Sequence, residues 1–174
     1  ISKAEAEGAP VTGQASPAEL RLHFKNTRGG VTPEVPEVES CEDILVGASG
    51  GEIPVRYYRP IGAPIDKKLP IVVYYHGGGW VVGDRDTHDV VCRMLTNRGK
   101  FAVLNVDYRL APENKFPSAV EDAWDVIEWT MGGASGLAID RNNISVCGDS
   151  AGGNLAAVMA IMARDANVSL CSQA

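Results

Sequence analysis

Three short, almost wholly apolar runs constrain the fold of this chain more than any other feature: Ile71-Val72-Val73-Tyr74-Tyr75, Phe101-Ala102-Val103-Leu104-Asn105-Val106 and Ile144-Ser145-Val146-Cys147. Each is short and lacks the polar alternation of a half-exposed strand, so each reads as a strand covered on both faces. Helical spacing separates them. One helix runs from about Thr87 to Arg98, and a second places Phe116, Ala119, Val120, Ala123, Trp124 and Ile127 on a core-facing stripe. A third begins at Ala151 and carries Leu155, Val158, Met159 and Met162. Strands alternating with helices imply a parallel sheet joined by right-handed crossovers, an α/β fold.

Upstream, Cys41 to Val46 and Ile53 to Arg59 read as strands of an antiparallel hairpin joined through Ser49-Gly50-Gly51-Glu52. Ser16-Pro17-Ala18-Glu19 has the pattern of a capping box, starting a short helix through about Asn26. A Pro-rich linker spans Val31 to Val38, and residues 1–15 read as a flexible arm or part of a lid. The expected division is therefore an arm and lid-like segment over 1–38 and the α/β domain over 39–174.

With 174 residues, 45% hydrophobic and 22% charged, the chain can bury one core. A net charge of -6 leaves no basic footprint for nucleic acid or an anionic membrane. No apolar run reaches the length of a membrane span, and the start has no signal-peptide core, which makes a cytoplasmic protein the default. The first residue is not Met, so an upstream leader would go unseen. Cys41, Cys92, Cys147 and Cys171 are too scattered for a metal-ligand pair and too few for a disulfide framework. No metal is expected, and oligomeric state is unassigned.

Gly148-Asp149-Ser150-Ala151-Gly152 matches G-x-S-x-G, a nucleophile elbow in which Ser sits on a tight strand-to-helix turn. Here it lies between a buried-type strand and an amphipathic helix. The Ala151 amide would sit at the helix N-terminus, where a free donor and the helix dipole stabilise a developing oxyanion. His76-Gly77-Gly78-Gly79-Trp80, after the strand ending at Tyr75, matches the HGGG-type oxyanion loop. The rival readings are a flexible turn and a phosphate-binding loop, but the Gly-Lys-Ser/Thr ending of the latter is absent.

Together with Asp107 to Pro117 (DYRLAPENKFP), these motifs resemble the hormone-sensitive-lipase-like, or GDSAG, esterases of the α/β-hydrolase fold. The similarity runs from about Glu39 to Asp165. It implies Ser150 as nucleophile and an oxyanion hole built on Gly77, Gly78, Gly79 and Ala151. The amides of Gly78, Gly79 and Ala151 would donate, with Gly77 shaping the loop. His76, Gly148, Asp149 and Gly152 complete the motifs, His76 in a structural role and Asp149 in a positioning one. Tyr108, Arg109 and Glu113 are expected to fix the loop by hydrogen bonding rather than to act in catalysis. His88 and His23 have no spacing argument for being the base.

In this fold the triad order is Ser, then Asp or Glu, then His. Residues 151–174 contain no His and one acidic residue, Asp165, on a helix leading away from the elbow. The chain is therefore expected to be an N-terminal fragment, inactive alone, with the Ile144 to Cys147 strand left as a bare apolar edge. The intact protein is expected to hydrolyse short to medium acyl esters without a cofactor, its acyl pocket and much of its lid lying outside this sequence. A small-molecule binding protein on the same scaffold, and a related amidase or deacetylase, are the alternatives.

Overall fold

A computed structural model describes residues 15–29, 34–134 and 136–174. The arm expected over 1–15 and the linker's residues 31–33 lie outside the described residues, apart from Ala15. Helix α1 (Pro17–Gly29) starts at the capping box expected for it. The Ser16 amide donates to Glu19 Oε2 at 2.8 Å while the Glu19 amide donates to Ser16 Oγ at 3.3 Å, so two orphan amides of the first turn are satisfied reciprocally. Its end lies three residues beyond the expected Asn26.

Strands β1 (Ser40–Ala48) and β2 (Gly51–Arg59) form the hairpin, with Ala48 opposite Gly51. Its turn is held from outside: the Ser49 amide and hydroxyl donate to Asp125 Oδ2 at 2.9 and 2.7 Å. The chain continues through β3 (Leu69–Tyr75), α2 (Asp89–Gly99), β4 (Ala102–Val106), α3 (Ser118–Met131), β5 (Ile139–Gly148), α4 (Ala151–Asp165) and β6 (Ser172–Gln173). The sheet order is β1-β2-β4-β3-β5-β6. Beyond the hairpin, which joins β4 antiparallel, every pairing is parallel.

Period-two alternation divides the sheet's residues between two layers. Ile71, Val73 and Tyr75 of β3, with Leu104 and Val146, pack against Ala123, Val126 and Ile127 of α3 and Leu155 and Met159 of α4. Tyr74, Tyr58 and Val103 turn to the opposite face, where Cys92 and Leu95 of α2 cover them. Burial on both faces explains why the central runs read as almost unbroken apolar sequence.

Three details differ from expectation. Phe116, assigned to the core-facing stripe, precedes α3 and is 87% exposed. The helix starts two residues later, after Pro117, so the stripe's numerical spacing runs on ahead of the helix itself. Strand β5 begins at Ile139, five residues earlier than expected, because an irregularity lets its polar Asp140 to Asn143 stretch stay in the strand between pairings with Leu69 and Ile71. The edge of β5 is not bare. Ser172 and Gln173 pair with Ser145 and Val146, and the Ala174 and Cys171 amides donate to the Val146 and Ile144 carbonyls at 3.1 and 2.7 Å.

All four cysteines are free thiols, and among the described residues no helix is long and apolar enough to cross a membrane. The core assignment is testable by chemical denaturation. Met159→Ala, at a fully buried position of α4, should cost about 2–5 kcal/mol. Ile161→Ala, two residues away and half exposed, should cost no more than about 0.5 kcal/mol.

Candidate active site

The two sequence motifs meet because their strands are neighbours. β3 and β5 pair in parallel with Tyr75 opposite Gly148, so His76 to Gly79 and Asp149 to Ala151 leave the sheet side by side at its C-terminal edge. Open α/β sheets place their sites at this edge.

At the elbow Ser150 has φ 52° and ψ -115°, a conformation that costs a non-glycine residue about 1–3 kcal/mol. The turn is closed by the Gly152 amide donating to the Asp149 carbonyl at 2.8 Å and the Asn154 amide to the Ser150 carbonyl at 3.0 Å. Gly152 is required by close approach, since a Cβ there would run into the Tyr75 carbonyl. The result is an exposed Ser150 ahead of α4. Among the described residues, no histidine or carboxylate hydrogen-bonds its hydroxyl.

The loop after β3 turns sharply through Gly78 (φ 131°) and Gly79 (φ 59°). The Val81 and Val82 amides donate back to the Gly78 carbonyl at 3.1 and 3.0 Å, and a Cβ on Gly78 would strike the Val82 carbonyl. The Gly78, Gly79 and Ala151 amides have no acceptor among the described residues. Donors left open at a helix start and on a glycine loop are what an oxyanion site requires.

Asp149 ties the two motifs together. Its Oδ1 accepts the Gly77 amide at 2.9 Å and the Tyr74 hydroxyl at 2.7 Å, and His88 Nε2 stands 3.4 Å away. Burial alone would push this carboxyl up, but His88, Tyr74 and the Gly77 amide outweigh it and hold it well below the ordinary carboxylate range. Asp149 is thus an anion whose contacts tie the glycine loop to the elbow.

His76 is fully buried and stacks on Tyr108 with ring centroids 4.4 Å apart. Its Nδ1 lies 2.9 Å from the Gly77 carbonyl, which can only accept, so the proton sits on Nδ1. The Tyr108 hydroxyl donates to the His76 carbonyl at 2.6 Å. Burial, opposed by the Gly77 contact, lowers the His76 pKa to about 4. A general base works best near the operating pH, so this ring is a poor one. Arg109 is bound to the buried Asp122 at 2.7 Å, and Glu113 to Arg21 of α1 at 2.7 Å. Both brace the loop beyond β4.

The sequence reading missed three contributors. Tyr74 and His88 reach Asp149 from the α2 face, and period-two alternation could have assigned Tyr74 to that face. Arg21 spans from α1 to the Val81 and Ala111 carbonyls at 2.7 and 2.9 Å, a contact with no local signal.

A family model described as the alpha/beta hydrolase fold matches residues 72–173, well over half of the chain. The chain belongs to the α/β-hydrolase family. Its relatives lie among the carboxylesterases of the hormone-sensitive-lipase-like group indicated by the motifs. It is 44% identical over 149 residues to the carboxylesterase NlhH of Mycobacterium tuberculosis, covering 85% of this chain and 45% of that protein. An arylesterase of Saccharolobus solfataricus is 37% identical over 155 residues, covering 89% of this chain and 49% of the relative. The crystal structure of an esterase from Pyrobaculum calidifontis superposes with a TM-score of 0.84 at 46% identity, covering 91% of this chain and 51% of that one. This α/β-hydrolase chain therefore spans about half the length of the relatives it matches.

The buried His76 predicts a pH signature. Its folded pKa lies below the ordinary 6.5, so between about pH 6.5 and 4 the unfolded chain takes up a proton that the folded chain refuses. Stability should be full above that window and fall through it as pH drops, by on the order of 3 kcal/mol. Urea unfolding from pH 7 to 4.5 should show this slope, and His76→Asn should flatten it. Equal slopes in the two proteins would assign the effect elsewhere.

Proposed function

We propose that this chain carries the acylation half of a serine carboxylesterase. Ser150 attacks an ester carbonyl while a base takes its proton, and the Gly78, Gly79 and Ala151 amides hold the tetrahedral oxyanion. Collapse breaks the ester C–O bond and expels the alcohol with that proton, and water then cleaves the acyl-Ser150 bond to release the acid. The observation that carries this reading is the juxtaposition of a strained serine elbow with a glycine loop presenting unpaired amides, joined through Asp149. The esterase names of the relatives support it.

The proton of Ser150 must go to a base that the described residues do not hold beside it. His76 is buried against Tyr108, with its Nε2 3.9 Å from Asp107 rather than at Ser150. His88 faces Asp149. We assign the base to the part of the enzyme that the relatives possess beyond the region matched here, and infer that the 174-residue chain is inactive alone. The same serine and oxyanion donors serve esters and amides alike, and the ester reading follows the relatives. No step calls for a cofactor.

In the intact enzyme, Ser150→Ala should reduce ethyl acetate turnover on the order of a millionfold, leaving only the oxyanion and binding contributions. Asp149→Asn should lower kcat by about 10- to 100-fold with a smaller change in KM, because it loosens the loop that holds the transition-state charge. Turnover that survives Ser150→Ala would end the serine mechanism. Turnover by the 174-residue chain that Ser150→Ala abolishes would end the inference that it is inactive alone.

A further inference from the structure

We propose that Arg21 is a positioning residue for the oxyanion donor of Gly79, acting from α1 through two peptide planes of the glycine loop. The assignment rests on the esterase reading above.

The Gly79 amide and the Gly78 carbonyl belong to one rigid peptide plane, so whatever fixes that carbonyl also aims the amide. Two donors fix it, the Val81 amide at 3.1 Å and the Val82 amide at 3.0 Å. Each of these amides lies in a plane whose own carbonyl is held from outside the loop. The Trp80 carbonyl, in the plane of the Val81 amide, accepts the Ala111 amide at 2.8 Å. The Val81 carbonyl, in the plane of the Val82 amide, accepts Arg21 Nε at 2.7 Å.

Arg21 also grips the second clamp. Its Nη2 donates to the Ala111 carbonyl at 2.9 Å, while Nη1 and Nη2 reach the Glu113 carboxylate at 2.9 and 2.7 Å. One guanidinium thus joins the loop after β3 to the loop after β4. A planar fork with donors in fixed directions suits this task, and the single nitrogen of a lysine does not reproduce it. The loop needs such a brace. Gly78 and Gly79, at φ 131° and 59°, have other turns open to them, and Trp80 follows at φ 60°, a strained conformation that persists only where its surroundings hold it.

The brace comes from an element with few other attachments. Among the described residues, no side chain of α1 belongs to either apolar cluster of the sheet. Arg21 instead lines a cavity of about 470 Å³ together with Gly83, Leu110 and Glu113. Lys25 pairs with Asp84 and Asp86 at 3.4 and 2.8 Å, solvent-exposed contacts of a kind that contributes little. The Phe24 ring lies against His88 with centroids 6.3 Å apart. Docking of α1 and the aim of the Gly79 amide are therefore coupled through Arg21.

In the intact enzyme, Arg21→Ala should lower kcat for ethyl acetate about tenfold with KM changed by less than about twofold, because only the transition state loses its aimed donor. Ethyl thionoacetate reads the oxyanion contact itself, since its carbonyl sulfur is a larger and weaker acceptor than the oxygen the hole is built for. The wild type's kcat/KM preference for the oxygen ester should fall about fivefold in Arg21→Ala. Lys25→Ala removes another contact of α1 without touching either carbonyl, and should leave kcat and the preference within about twofold of the wild type.

If Arg21→Ala fails to fold, Arg21→Lys keeps the charge facing Glu113 but not the fork, and should lower kcat and the oxygen preference about threefold each. An oxygen preference unchanged in whichever of the two variants folds, even beside a lowered melting temperature, would make Arg21 an anchor of α1 only and overturn the assignment. Equal losses in Lys25→Ala would place the effect in α1 docking at large and overturn it as well. A wild type that does not hydrolyse ethyl acetate would instead overturn the esterase reading, and the assignment with it.

Discussion

The architecture of the site depends on one parallel pairing, β3 against β5, and on how closely the two strand ends approach. With Tyr75 opposite Gly148, the first residues of the glycine loop and of the elbow leave the sheet at the same height. The fit is tight enough that Gly152 nearly touches the Tyr75 carbonyl. A side chain at that point would push α4 away from the sheet, taking the Ala151 amide with it. The two glycines of the elbow are therefore a packing requirement of the β3–α4 contact as much as a turn requirement.

On this frame, electrostatics supply the remaining order. Asp149 stays ionised in a partly buried position because an amide, a hydroxyl and an imidazole all face it. An anion so satisfied resists displacement, since moving it would leave several donors unpaired. His76 follows the opposite logic, kept neutral by burial with its single proton spent on the Gly77 carbonyl. One fixed charge and one fixed neutral ring hold the glycine loop from two directions without either contributing a side chain to the serine hydroxyl.

What was legible in the sequence is what has a short repeat. The unbroken apolar runs of β3 and β4, the three-four spacing of α3 and α4, and the Ser16–Glu19 capping box are local patterns with direct physical causes. The elbow and glycine loop were legible because their chemistry needs small residues at fixed spacing. β6 was not, since Ser172 and Gln173 have no apolar signature and are held by backbone pairing with β5 and by the Ser172 hydroxyl on that of Ser145. Phe116 misled because an apolar residue two positions ahead of α3 continues the stripe's numerical spacing. The contacts of Asp149 with Tyr74 and of Arg21 with Glu113 join residues far apart in the chain, and only the assembled sheet brings them together.

Adjacent tyrosines at the end of β3 point to opposite sides of the sheet. The Tyr74 hydroxyl reaches Asp149, and the Tyr75 hydroxyl donates to the Ala123 carbonyl of α3 at 3.0 Å. The strand that launches the glycine loop is thus bolted to the elbow by one tyrosine and to α3 by the other, while the Tyr74 ring also packs against α2. A repacking in either layer, even one far from Ser150, would tilt the end of β3 and be felt as a change in the aim of the Gly78 and Gly79 amides. The site has no insulated side, so engineering this protein for stability in either layer is also engineering its reactive geometry.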